Sequence, residues 1–149
     1  MNKLNAIFLN EYNNLEALCN AKFGVTEGGI GKYVEAMNGA TENKDKIGKW
    51  AEDYHSLAKC MHIYSVISLN GNNIRKPQCT KHDIAWLVKF AQRFGKETDS
   101  LTRLQKYETS LEKFNNAMDK VVPVAKAVAI GCGIALAFNA LFGGKNGDK

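Results

Sequence analysis

Apolar positions recur along most of the chain at helical steps. Residues 2–23 place Leu4, Ile7, Phe8, Leu15, Leu18, Cys19 and Phe23 three or four residues apart, with Glu11, Asn14 and Lys22 off the stripe. That spacing predicts one helix with a single apolar face, and Gly24 sits where a C-terminal cap belongs. Ile30, Tyr33, Val34 and Met37 predict a short second helix ending at Gly39, followed by the polar connector 40–46. Trp50, Tyr54, Leu57, Met61, Tyr64 and Ile67 predict a longer third helix, which runs out at Asn70-Gly71-Asn72-Asn73. Such a cluster tolerates left-handed backbone and makes a loop. Thr80-Lys81-His82-Asp83 opens a fourth helix: a threonine cap has an acid three residues on. It continues through Ile84, Leu87, Val88 and Ala91 to Gly95.

From Ser100 the repeat becomes a heptad. Leu104, Leu111, Met118 and Ala125 recur every seven residues, and Tyr107, Phe114, Val121 and Val128 follow three behind. A seam of this kind seats helix on helix. It equally fits a helix packed back onto its own bundle. Ala127–Gly144 then holds 18 residues without a charge, with Asn139 its one strongly polar side chain. As a helix it extends about 27 Å, and with residues 121–126 it passes the ~30 Å of a bilayer core. Gly131, Ala135, Asn139 and Gly143 fall four apart, a small-residue face on which helices approach closely. The expectation is an all-α chain: a helical bundle over 1–98, a heptad helix over 99–120, a transmembrane or oligomer-buried helix over 121–144, and a polar tail, 145–149. Oligomerisation is assigned to Leu104, Tyr107, Leu111, Phe114, Met118, Gly131, Ala135 and Asn139.

Composition changes this picture little. The 149 residues are 45% hydrophobic and 23% charged, which excludes wholesale disorder, and only 2 prolines interrupt them. The net charge of +5 is spread along the sequence, with no basic stripe of the kind that grips phosphates. The first residues contain an apolar run too short for a secretory signal. Cys19, Cys60, Cys79 and Cys132 form no Cys-x-x-Cys pair, so free thiols in a reducing compartment are expected. The expected location is a cytoplasmic N-terminal domain anchored to the inner cell membrane.

Catalytic chemistry is sparse. Cys60-x-His62 points its side chains roughly 200° apart on a helix, so with Cys79 and His82 it predicts no zinc site. Gly28-Gly29-Ile30-Gly31 lacks the lysine-serine ending of a phosphate loop and reads as a turn. No metal and no small-molecule cofactor is expected.

Four segments carry a resemblance: Asn10-Glu11-Tyr12-x-x-Leu15-x-x-Leu18-Cys19-x-x-x-Phe23-Gly24, Gly31-x-Tyr33-x-x-x-Met37, Trp50-x-x-Asp53-Tyr54-x-x-Leu57, and Cys79-Thr80-x-x-Asp83-Ile84-x-Trp86-Leu87. Over roughly residues 8–105 the chain resembles a family of small helical proteins of bacterial mobile elements. That family looks like a branch of the HEPN (higher eukaryotes and prokaryotes nucleotide-binding) domains. HEPN ribonucleases use an arginine and, a few residues later, a histidine; the matching positions here are Tyr64, Ser65 and Leu69. The resemblance therefore implies a HEPN-like bundle without its catalytic pair. Arg75 and His82 satisfy the spacing formally, but Pro77 separates them, and a loop arginine is poorly placed beside a general base. A degenerate HEPN bundle joined to a membrane segment resembles, in architecture, the pore-forming accessory protein of some RNA-targeting CRISPR systems. The expected function is a membrane-anchored, self-associating, non-catalytic protein of that kind, partnered by itself and by RNA or an RNA-guided effector. The alternatives are an RNA-binding or RNA-cleaving HEPN dimer, and a soluble adaptor that buries its apolar tail in an oligomer.

Overall fold

The computed structural model describes residues 1–70 and 73–119. The expected membrane segment 121–144, the tail 145–149, and with them Gly131, Ala135 and Asn139, lie outside the described residues. Among the described residues the chain is all-helical: α1 (Lys3–Phe23), α2 (Gly29–Gly39), a one-turn 3-10 helix (Lys44–Lys46), α3 (Trp50–Asn70), α4 (Lys81–Gly95) and α5 (Ser100–Asp119). No helix among them is long and apolar enough to cross a membrane. The chain forms two compact units, Met1–Arg103 and Leu104–Lys149.

In the first unit α1 packs on α2, α3 and α4. The Asn2 carboxamide opens α1 by accepting from the backbone N–H of Leu4 at 2.8 Å and of Asn5 at 3.3 Å. Gly24, at φ 64°, closes it and donates its N–H to the Asn20 carbonyl. The turn into α2 is held by side chains of α1. Glu16 accepts from the N–H groups of Gly28 and Ile30 at 3.1 and 2.8 Å, and Asn20 accepts from Gly29 at 2.8 Å. A Cβ on Gly29 would stand 2.3 Å from the Asn20 backbone nitrogen, so glycine is what allows the two helices to meet.

The core is lined by Phe8, Leu15, Cys19, Ile30, Tyr33, Met37, Leu57, Ile67, Leu87 and Phe90, all essentially without exposure. Two expected stripes are rotated by about one residue. On α1 the buried face runs Asn5, Phe8, Tyr12, Leu15 and Cys19, while Ile7 and Leu18 are 39% and 38% exposed. On α3 it runs Trp50, Asp53, Leu57, Cys60, Ile63 and Ile67, leaving Tyr54, Met61 and Tyr64 half-buried. Both rotations have one cause: polar residues with distant partners, Asn5 and Asp53, occupy inward positions that an apolar count assigns to their neighbours. On α4 the Thr80–Asp83 capping box forms as the sequence predicts, with both reciprocal bonds present.

In the second unit, α5 keeps Leu104 and Phe114 buried and Tyr107, Leu111 and Met118 half-buried, while Gln105, Glu112 and Lys113 face out. Protection therefore follows the heptad seam. Ser110, also buried, turns its hydroxyl back onto the Lys106 carbonyl at 2.7 Å.

Candidate functional site

Arg75 lies in the loop between α3 and α4 and His82 is the second residue of α4; both are exposed. The loop is fastened to the start of α1. The buried carboxamide of Asn5 donates to the Lys76 carbonyl at 3.1 Å and accepts from the Gln78 N–H at 2.7 Å. Asn2 donates to the Arg75 carbonyl at 3.3 Å, and the Cys79 thiol lies 3.5 Å from the Leu4 carbonyl. Every one of these bonds holds backbone, so the loop is fixed in place while the Arg75 side chain stays outside.

His82 faces a cavity of about 110 Å³ lined also by Ser56, Lys59, Cys60, Asp83 and Trp86, and Arg75 is not part of its wall. A thiol, an imidazole and a carboxylate thus converge, yet their electrostatics oppose nucleophilic chemistry. Burial, helped by the Asp83 charge, pushes the Cys60 thiol up to about 12. A thiol held there carries almost no thiolate near neutrality. Burial likewise raises Cys79. Asp83 would also be raised by burial, but hydrogen bonds from Lys59 and Thr80 outweigh this and hold its carboxyl low. The Lys59 ammonium sits 2.9 Å from it. Asp83 is thereby committed to capping α4 and pairing α3. Among the described residues no group of three His, Cys, Asp or Glu side chains gathers to hold a metal.

At the opposite ends of α3 and α4 lies a second polar cluster, with Asp53, Asp99 and Ser100 buried and Arg93 partly exposed. Arg93 grips Asp53 through both guanidinium nitrogens, at 3.0 and 2.5 Å, and lies over the Phe90 ring at 5.0 Å. Ser100 donates to the same carboxylate at 2.5 Å. Beside it Tyr33 donates to Asp99 at 2.5 Å and accepts from the Leu101 N–H at 2.9 Å. Burial first, and then the Asp99 charge, drive the Tyr33 hydroxyl far above its usual range, so it remains a donor. Asp99 completes the start of α5 by accepting from the Thr102 N–H at 3.3 Å. These bonds tie α2, α3, α4 and the first turn of α5 together.

A groove of about 540 Å³ runs between the end of α2 and the start of α3, over Met37, Ile47, Trp50 and Tyr54. Its rim mixes Lys44 and Lys49 with Asp45 and Glu52, so it selects neither sign of charge.

Sequence reasoning missed Asn5, Asp53, Arg93 and Asp99 as polar anchors, because each looks like a solvated residue until its partner appears, and it read Tyr33 as apolar core without its hydroxyl's bond to Asp99. It also missed a signal that was present: between Asp53 and Asp83 no acid occurs, while Lys59, Arg75, Lys76, Lys81 and all 3 histidines do.

Fold and site together define a class: an all-helical bundle clamped at one end by a buried charge cluster and at the other by a carboxamide latch, continued by a helix with a heptad seam. The chain belongs to DUF6548, a family of unknown function, whose model matches residues 6–128. No curated protein and no solved structure matches it.

Proposed function

We propose that this is a membrane-anchored, self-associating helical protein without catalysis of its own, an accessory or effector of CRISPR-type anti-phage defence whose last helices form or gate a pore. The observation that carries the reading is the uncharged run Ala127–Gly144, which follows directly on the heptad repeat that begins in α5. Two features of the bundle support it. Arg75 is not part of the wall of the cavity that His82 faces, and the Cys60 thiol in that wall is held protonated. A HEPN-like scaffold that has given up its catalytic pair fits that arrangement. In this reading Leu104 and Phe114, already buried, serve packing, and a second copy meets the half-buried Tyr107, Leu111 and Met118. Gly131, Ala135 and Asn139 form the close face between anchors, where an asparagine contributes about 1–2 kcal/mol per contact.

Fractionation of the full-length chain tests the anchor. It should pellet with membranes and need detergent; a monomer in detergent-free buffer contradicts the proposal. Gly131→Leu and Asn139→Leu test the assembly. Both should insert normally, the first splitting the oligomer and the second weakening it, as mass photometry in detergent would show. Retention of the parent's subunit number by both would leave the last helix an anchor only.

A further inference from the structure

The fold assembles a cationic surface that is scattered in the sequence. Lys3 opens α1, Arg75 and Lys76 lie in the loop latched onto Asn2 and Asn5, and Lys81 opens α4. The latch bonds bring these three segments to one end of the bundle, and all four side chains are exposed. Among the described residues none of the four is held in an ion pair. The acids that could neutralise them are elsewhere. No acid occurs between Asp53 and Asp83 or before Glu11, and Asp83 is buried under Lys59.

The same end also exposes apolar side chains. Leu69, at the end of α3, is 80% exposed and Met1 is 60% exposed. They border one cleft of about 390 Å³ with Leu9, Ile67, Asn70 and Asn73. Cations around an exposed apolar tip are the chemistry of an interfacial membrane contact: the charges meet lipid phosphates and the apolar side chains enter the headgroup boundary. Single-stranded nucleic acid would ask instead for exposed aromatic faces on which bases stack. The rings toward this end are buried or already stacked: Phe8 is fully buried, Tyr12 is 5% exposed and stacked on the half-buried Tyr64 with centroids 4.1 Å apart, and the half-buried Trp86 is stacked on Phe90 at 4.9 Å.

We infer that the basic end of the bundle, Lys3, Arg75, Lys76 and Lys81 around Leu69, docks on an anionic lipid surface. This contact stands apart from the C-terminal anchor: it needs headgroup charge and weakens with salt, whereas an apolar helix needs neither.

Flotation of the full-length chain with phosphatidylcholine vesicles, and with vesicles in which about a third of the lipid is phosphatidylglycerol, separates the two contacts. Each lysine or arginine near such a surface is worth roughly a fivefold change in partitioning, so with four of them the parent should prefer the anionic vesicles by about six-hundredfold at low salt. The K3Q/R75Q/K76Q/K81Q variant should lose that preference, and Leu69→Gln should lower binding to anionic vesicles severalfold. Unchanged far-UV circular dichroism would show both variants folded. Parent binding to neutral vesicles reports the anchor alone: its absence, with the anionic preference intact, would remove the anchor and leave the docking surface standing. Equal preference in parent and fourfold variant would overturn the inference. So would salt-sensitive binding of a single-stranded oligonucleotide that the four substitutions abolish while vesicle binding persists.

Discussion

The two ends of the bundle solve the same problem, polar groups inside a helical core, in opposite ways. At the end formed by the start of α3 and the finish of α4, carboxylates are buried against side-chain donors: Asp53 against the Arg93 guanidinium and the Ser100 hydroxyl, and Asp99 against the Tyr33 hydroxyl. The Asp99 carboxylate is closed off by burial, although its Oδ1 has no hydrogen-bond partner among the described residues. At the other end one carboxylate, Asp83, is buried under Lys59 and caps α4, but the group that holds the loop is a neutral carboxamide, Asn5, whose bonds go to backbone. The cations of that loop remain in water. A charge spent on a charge fixes the fold; a carboxamide spent on backbone fixes the fold and leaves charges free. Structure is therefore assigned to the first end and recognition to the second.

The sharpest way to break the comparison is to remove one partner of the closed cluster. Asp53→Ala leaves the Arg93 guanidinium partly buried and unpaired, a loss of about 3–5 kcal/mol. Chemical denaturation should show it. Adding Arg93→Met should recover part of the loss, since a buried pair replaced by apolar groups is often near neutral. A double variant as unstable as the sum of the singles would show that the two residues act independently. Gly29→Ala comes next. Its methyl group meets the Asn20 backbone, and relief means separating α1 from α2 and stretching the Glu16 and Asn20 bonds. About 1–3 kcal/mol should be lost by the same assay.

Asn5→Ala should cost about 1–3 kcal/mol, because the Gln78 N–H and Lys76 carbonyl lose their partner. Its distinguishing effect is local: amide hydrogen exchange at Lys76, Gln78 and Cys79 should accelerate while the closed end stays protected. Equal acceleration at both ends would erase the distinction between them. The smallest effect belongs to Asp83 and Lys59. Asp83 is held below the ordinary carboxylate range, so its contribution is whole above about pH 5 and fades as acid takes the pH through its folded value. Lys59, raised by the Asp83 hydrogen bond and charge, keeps its part until the pH climbs past the ordinary ammonium value of about 10.4. Because Lys59 is largely exposed and screened, Asp83→Asn should cost roughly 1 kcal/mol between pH 5 and 10, and the gap should close below pH 4. A gap unchanged at pH 3 would place the stabilisation outside this carboxylate.

Much of the fold was legible in the residues. The helices follow from three- and four-residue spacing, Gly24 from its place behind Phe23, and the Thr80–Asp83 box from its own letters. Illegible were the contacts that turn those helices. Asp53 and Arg93 are 40 positions apart and Asn5 and Gln78 are 73 apart, and neither member of a pair carries a mark of its partner. An apolar count therefore put Tyr54 and Leu4 where Asp53 and Asn5 point inward. The basic end was hidden for a related reason. Net charge sums along the chain, whereas Lys3, Arg75, Lys76 and Lys81 meet only when a loop is latched across 70 residues or more.

The division of labour between the ends is tested most directly by the melting temperature of the full-length K3Q/R75Q/K76Q/K81Q variant, measured beside Arg93→Gln. Exposed cations outside the core contribute within about 0.5 kcal/mol each way, so the fourfold variant should melt within a few degrees of the parent. Arg93→Gln, which unpairs the buried Asp53 carboxylate, should lower the midpoint by about 10 °C or more. A fourfold variant that melts as early as Arg93→Gln would mean that the basic end holds the fold together, and would contradict its assignment as a surface kept free for a partner.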